Sequence, residues 1–394
     1  MKARSRFLAC LFWLGCGAPT EPLRDASALL PAPFDAATAA ASDAGASVSE
    51  AAAQLPEASP PDASASAAPR DAAPSDARDS SLDAAQNQPD ARQDAGEDAR
   101  VPAPVASGCV SDVSAGQHEL SCQDLTHLLY VPALCLSQRC GLVIDVHGGT
   151  MSARMEEKNT RMTTLGERYG YIVLQPNANL GLFDASVDDD KVFAMAKELI
   201  AVFHLDPERV HMMGFSQGGY MTWRFLCAHG DFLASAAPAS AAGEANISLE
   251  VDCSFTGSDA PSVERDILYM HGTQDALVDF KNAQKKRTDV IATLALTQTA
   301  ELSTDAKYRR TRYQNARGTV FEFIEHDYTS PSAFPAQPPL GIAIVGHCYP
   351  GSTDLEITED GQLMAFGCTP PTAFNWGETV MEFFRTHPRT KRAQ

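Results

Sequence analysis

Residues 17–107 lack what a folded segment needs. Phe34 is the only aromatic residue in that stretch, and large apolar side chains are almost absent; Ala, Asp, Pro and Ser fill it. A segment of this composition cannot bury enough surface to offset its ordering entropy, so it reads as a disordered linker. A basic excess is missing as well. The chain carries 31 Lys and Arg against 50 Asp and Glu, a net charge of −19. The fifteen acids and five arginines of residues 17–107 account for −10 of it. The acidity therefore argues against a nucleic-acid partner and belongs mostly to a solvated tether. There is no Cys-x-x-Cys pair, which argues against zinc, and no internal repeat.

Residues 1–16 read as an export signal. Lys2, Arg4 and Arg6 precede an apolar run over 7–14 that is too short to span a bilayer as a mature helix. Gly15-Cys16 resembles the end of a bacterial lipobox, with Trp13 where Leu is usual. Cys16 is thus a candidate for lipidation and membrane attachment, with plain secretion as the alternative. Export also gives the cysteines a reading. Eight lie beyond the linker: Cys109, Cys122, Cys135, Cys140, Cys227, Cys253, Cys348 and Cys368. An even count in an exported chain points to disulfides. Counting does not set the connectivity. The expectation is sequence-near pairing: Cys109–Cys122, Cys135–Cys140, Cys227–Cys253 and Cys348–Cys368. One folded domain is expected, over residues 108–394.

Within it, apolar runs alternate with helical periodicity. An edge strand is expected over 127–131, ended by Pro132. Residues 140–146 form a near-continuous apolar run, as in a strand buried on both faces, and lead into His147-Gly148-Gly149-Thr150. Further strands are expected over 171–174, 209–214, 232–239, 266–270, 308–313, 319–324 and 342–345. Helices are expected over 162–169, 188–204, 220–227, 278–296 and 376–384. Strands alternating with helices imply a mostly parallel sheet in an α/β sandwich.

The chain is organised around Gly214-Phe215-Ser216-Gln217-Gly218. An apolar strand enters it and a helix-compatible run leaves it. That is the setting of a nucleophile elbow, where the Ser backbone is strained and flanking side chains would collide with neighbours. A serine hydroxyl is a weak nucleophile until a base takes its proton. Asp275 and His347 each follow a predicted strand end, where open α/β sheets place their sites. The order Ser216, Asp275, His347 is the order α/β-hydrolases use. His347 is then the base, and Asp275 sets its tautomer. The oxyanion donors expected are the amides of Gln217 and of Thr150, with Gly149 the alternative to Thr150.

Other polar residues have plainer readings. Asp279 rivals Asp275, but spacing favours Asp275. His147 and His271 read as loop-shaping residues, and His229 and His326 as surface residues. Asp188-Asp189-Asp190 reads as a solvated helix start rather than a metal cluster. Asn246-Ile247-Ser248 is a glycosylation sequon in form only.

Several pieces resemble the secreted polyhydroxybutyrate depolymerases and feruloyl or acetylxylan esterases, within the α/β-hydrolases. They are His147-Gly148-Gly149, Tyr169-Gly170-Tyr171-Ile172-Val173, Val187-Asp188-Asp189, Asp206-Pro207-Glu208-Arg209-Val210, Gly214-Phe215-Ser216-Gln217-Gly218-Gly219, His271-Gly272-Thr273-Gln274-Asp275 and Gly346-His347-Cys348-Tyr349-Pro350-Gly351. They run in family order from about His127 to Phe384. The resemblance implies an α/β-hydrolase three-layer sandwich. It also implies hydrolysis of carboxylic esters through an acyl-enzyme, with no metal and no cofactor. Tyr349 departs from the pattern, since the family often has Trp there. A serine peptidase of the same fold and an inactive surface binding protein are the competing readings. With no aromatic or apolar face in the tether to grip a solid, the expected substrate is a soluble ester: short acyl, feruloyl or hydroxybutyrate oligomer.

Overall fold

The computed structural model describes residues 101–243, 252–330, 333–334, 342–352, 356–357, 363–364 and 366–389. The expected export signal with Cys16, the linker up to residue 100 and the Asn246 sequon lie outside the described residues. Backbone contacts begin inside the expected linker: the Val101 amide donates to the Ser137 carbonyl at 3.2 Å, and Ser107 pairs with Val110.

In chain order the main elements are β1 (Gly116–Cys122), β2 (Leu125–Val131), β3 (Gly141–Val146), α1 (Ala153–Thr160), α2 (Met162–Tyr169), β4 (Tyr171–Asn177), α3 (Asp188–Phe203), β5 (Val210–Phe215), α4 (Gln217–Ala228), β6 (Ser235–Ala239), β7 (Asp266–Gly272), α5 (Phe280–Thr293), β8 (Thr297–Thr304), β9 (Tyr308–Gln314) and β10 (Val320–His326). Two short strand pairs follow, β11 (Ala333–Phe334) with β12 (Ile342–Ala343) and β13 (Glu356–Ile357) with β14 (Leu363–Met364), and then α6 (Trp376–Thr386).

Strands β1 to β10 form one sheet in the order β1-β2-β4-β3-β5-β6-β7-β10-β9-β8. From β4 through β10 the neighbours are parallel; β1, β2, β9 and β8 add antiparallel margins. With its packed helices this is the three-layer α/β-hydrolase sandwich. Central β3 and β5 are buried along their whole length, as parallel strands covered on both faces must be.

Three sequence expectations change. Strand β2 is not the edge. A hairpin with positive φ at both Gln123 and Asp124 returns β1 against it. β1 alternates exposed and buried positions and carries few apolar residues, so it had no strong pattern. The helix expected to run to 296 stops at Thr293, and β8 follows it. The strand expected over 342–345 is only β12, which pairs with β11 outside the main sheet. His347 therefore does not follow a strand of the main sheet.

The eight cysteines form Cys109–Cys122, Cys135–Cys140, Cys227–Cys253 and Cys348–Cys368. Among the described residues no helix is long and apolar enough to cross a membrane.

Candidate active site

The turn between β5 and α4 holds Ser216 at φ 52° and ψ −117°. A residue with a side chain occupies this region only when its surroundings enforce it. Here they do. The Ser216 amide donates to the Ala239 carbonyl at 2.9 Å, and its own carbonyl accepts from Tyr220 at 2.9 Å. A Cβ on Gly218 would lie 2.0 Å from the Val146 carbonyl oxygen, so α4 can approach β3 only with glycine there.

Asp275 lies just past the end of β7 and is buried. Its Oδ1 accepts from the amides of Leu277 and Val278, both at 2.9 Å, and its Oδ2 accepts from His347 Nδ1 at 2.7 Å. Burial pushes its pKa up, but the His347 charge and hydrogen bond, His271 and the Val278 amide pull it down further, and the net direction is down. The loops carrying the two residues touch through backbone. Gly346 has φ 77°, and a Cβ there would be 2.4 Å from the Asp275 nitrogen.

His347 is buried and lies beside the elbow: its ring centroid is 4.7 Å from that of Phe215, the residue before Ser216. The Cys348–Cys368 bridge and two backbone bonds hold the segment, Tyr349 N–H to Phe366 C=O at 2.7 Å and Cys368 N–H to Tyr349 C=O at 2.9 Å. With Nδ1 bonded to Asp275, Nε2 is the ring nitrogen left to act as a base. Among the described residues the Ser216 hydroxyl has no hydrogen-bond partner.

The loop after β3 lies against the serine; a Cβ on Gly148 would be 3.2 Å from Ser216 Cβ. His147 shapes this loop. Nδ1 bonds the Gly148 carbonyl at 2.7 Å, and Nε2 accepts the Ala178 amide at 3.0 Å. Burial lowers its pKa to about 4, so it is neutral. The Thr150 amide donates to the Gly181 carbonyl at 2.7 Å and is thereby engaged, which corrects the expectation that it serves an oxyanion. The Gly149 amide has no partner among the described residues. Gln217 opens α4, where the first amides have no carbonyl within the helix.

The remaining candidates sort as follows. Asp279 caps α5, accepting the Lys281 amide at 2.9 Å. His271 bonds the Val278 carbonyl at 2.9 Å through Nε2. Asp189 pairs with Arg224 at 2.7 Å at the start of α3. His229 is a partly exposed surface residue, as expected, and stacks on Phe193 at 3.8 Å, whereas His326 is buried, which corrects its surface reading.

Sequence reasoning missed one cluster beside the site. It joins Asp145, Glu156, Gln175 and Tyr349. Its signals were an acid inside the apolar β3 run and a Tyr where Trp is usual.

No protein-family profile matches the chain. A bifunctional acetylxylan esterase/xylanase, XynS20E, from Neocallimastix patriciarum is 22% identical over 160 residues, 40% of this chain. The chain spans only 22% of that relative. Among solved structures, an acetyl xylan esterase from Aspergillus awamori is similar at TM-score 0.43 and 17% identity, over 54% of this chain and 93% of that one. Est1E from Butyrivibrio proteoclasticus is similar at TM-score 0.35 and 14% identity, over 44% of this chain and 85% of its own.

Proposed function

We propose that this protein is a serine carboxylic ester hydrolase with Ser216, His347 and Asp275 as its triad. The observation that carries the reading is the 2.7 Å bond between His347 and Asp275, two buried side chains from loops 72 residues apart, beside a strained serine. Ser216 Oγ attacks the ester carbonyl while His347 Nε2 takes its proton. The negative charge on the carbonyl oxygen meets the Gly149 and Gln217 amides. As the tetrahedral species collapses, the imidazolium gives its proton to the leaving alkoxide, and the acyl group stays on Ser216. Water, deprotonated by the same imidazole, then releases the acid. Asp275 stabilises the imidazolium and holds Nδ1–H.

The similarity to an acetylxylan esterase supports a short-acyl ester as substrate. The sequence resemblance to polyhydroxybutyrate depolymerases and feruloyl esterases adds hydroxybutyrate oligomers and feruloyl esters. Four disulfides support an exported protein. Attachment through lipidated Cys16 is part of the same proposal.

The test is kcat/KM for acetyl, butyryl, feruloyl and hydroxybutyrate-oligomer esters beside peptide anilides. Esters should be turned over. Ser216→Ala and His347→Ala should each reduce turnover by several orders of magnitude, and the double variant should be little worse than either. Peptide cleavage without ester turnover, or an active Ser216→Ala, would refute the proposal.

A further inference from the structure

Asp145 and Glu156 are both fully buried, one on β3 and the other on α1. Asp145 Oδ2 accepts from Thr160 Oγ1 and Gln175 Nε2, each at 2.8 Å. Glu156 Oε2 accepts the Tyr349 hydroxyl. That leaves Asp145 Oδ1 and Glu156 Oε1, both sealed from solvent and without a donor. The two carboxyls lie close enough that each perturbs the other's titration. Two charged carboxylates in that position would repel and remain unsatisfied. One proton held by the pair removes the repulsion and supplies a donor that the pair lacks. Burial, then the Asp145 charge, push Glu156 far up, while burial raises Asp145 to about 6. The other acid nearby, Glu157, accepts from the Thr163 amide at 3.0 Å and Gln175 Nε2 at 3.1 Å.

Tyr349 links this pair to the candidate active site. Its ring is fully buried and stacks on Phe215 at 4.1 Å and 27°. Phe215 in turn lies 4.7 Å from His347. The point at which the Tyr349 hydroxyl is anchored therefore sets how residues 347–349 lie against the elbow.

We propose that Glu156, sharing one proton with Asp145, is a positioning residue for His347: it anchors the Tyr349 hydroxyl and so fixes the Tyr349–Phe215–His347 ring stack beside Ser216. The proposal rests on the triad assignment above and extends it to residues that never meet the substrate. A small displacement of a catalytic base costs up to about 100-fold in rate.

The test compares Glu156→Gln, Glu156→Leu and Tyr349→Phe in the full chain. Gln keeps a donor for Asp145 and an acceptor for Tyr349. Leu removes both, and Phe removes only the hydroxyl. The readouts are kcat and KM on an acetyl ester, the rate at which an organophosphonate labels Ser216 by mass, and the thermal midpoint. Glu156→Gln should stay within about threefold of wild type in kcat. Tyr349→Phe should lose about tenfold and Glu156→Leu about 100-fold, with KM unchanged and labelling slowed in parallel. If Glu156→Leu does not fold, Tyr349→Phe decides. Lower thermal midpoints with unchanged kcat and labelling would reduce the cluster to a structural one and overturn the proposal. So would Glu156→Gln as slow as Glu156→Leu. Wild-type chain labelled at Ser216 but turning over no ester would defeat the esterase reading alone, with labelling rates still judging the positioning.

Discussion

Gln217 holds Phe183 by both of its backbone groups. Its Oε1 accepts the Phe183 amide at 3.0 Å, and its Nε2 donates to the Phe183 carbonyl at 3.0 Å. The residue after the candidate nucleophile thus fixes, through its side chain, the loop that lies against Gly149. That loop exposes Leu180 completely and Leu182 by 55%. Leu182 reaches toward Gly149, whose Cβ, if it had one, would be 3.4 Å from a Leu182 methyl. In the proposed esterase, an exposed leucine held beside Gly149 would meet the apolar part of the substrate.

Leu182→Asp should lower kcat/KM for hexanoyl esters by about tenfold, the order expected from losing part of a leucine's apolar contact, and leave acetyl esters within about twofold. Gln217→Leu keeps the backbone amide and should show the same selectivity. An equal loss on acetyl and hexanoyl esters would place Leu182 outside the substrate's reach.

Asp275→Asn should abolish most activity without unfolding the domain. Two amides at 2.9 Å require an acceptor on the Oδ1 side, so the new NH2 would face His347 Nδ1. That forces the proton onto Nε2, the wrong tautomer for a base, and a loss of about 10⁴ in kcat is expected. Asp279→Asn, at the α5 cap, should leave turnover near wild type. Comparable activity in the two variants would reverse the assignment.

Removing Cys348–Cys368 as a double Ala variant should lower stability by about 2–4 kcal/mol and also lower kcat, because Cys348 adjoins His347. Removing Cys227–Cys253 should affect stability with a much smaller change in kcat. Thermal midpoints and kcat, measured together, separate the two roles. Unchanged kcat without the first bridge would show that the histidine loop stands on its other contacts.

Stability should fall as the pH drops below about 6.5. Burial lowers His127 and His147 to about 4 and His326 to about 3. Between those values and the unfolded value near 6.5, the unfolded chain binds protons that the folded one refuses. Their contribution is complete above about 6.5 and is lost as the pH falls toward the folded values. Asp145 acts oppositely. Burial raises it to about 6, so its contribution is complete below the unfolded value near 4 and is lost as the pH rises through 6. Glu156, which burial also raises, acts in the same sense as Asp145, while His211 and His271, which burial also lowers, join the three imidazoles; the histidines outnumber these two carboxyls and set the sign. Urea midpoints at about pH 7, 5.5 and 4.5 should decline in that order, with a shallower slope in His326→Phe. A flat profile would mean these rings take up protons in place.

The elements read correctly were those with dense local signals. Strands β3, β5 and β7 are rich in apolar residues and buried throughout, and α3 repeats its apolar positions at helical spacing. β1 and β8 lacked such signals because margin strands expose much of their length. His347 looked as if it ended a sheet strand because a short apolar run preceded it, and periodicity does not say which sheet a run joins.

The elbow at Ser216 was legible in the sequence because its signature is local: an apolar strand, Gly-x-Ser-x-Gly and a helix-compatible run, with Gly214 packed on Gly218 so closely that a Cβ there would lie 2.4 Å from the Gly218 carbonyl oxygen. The sequence by itself also determined the alternation that makes a parallel sheet. Tertiary structure alone decided what each polar group meets. The Thr150 amide is taken by Gly181, and His326 is buried. Tyr349 finds Glu156 across 193 positions. A hydrogen bond depends on distance and direction to a particular partner, and these are set by how the chain is brought together in space rather than by the order of its residues.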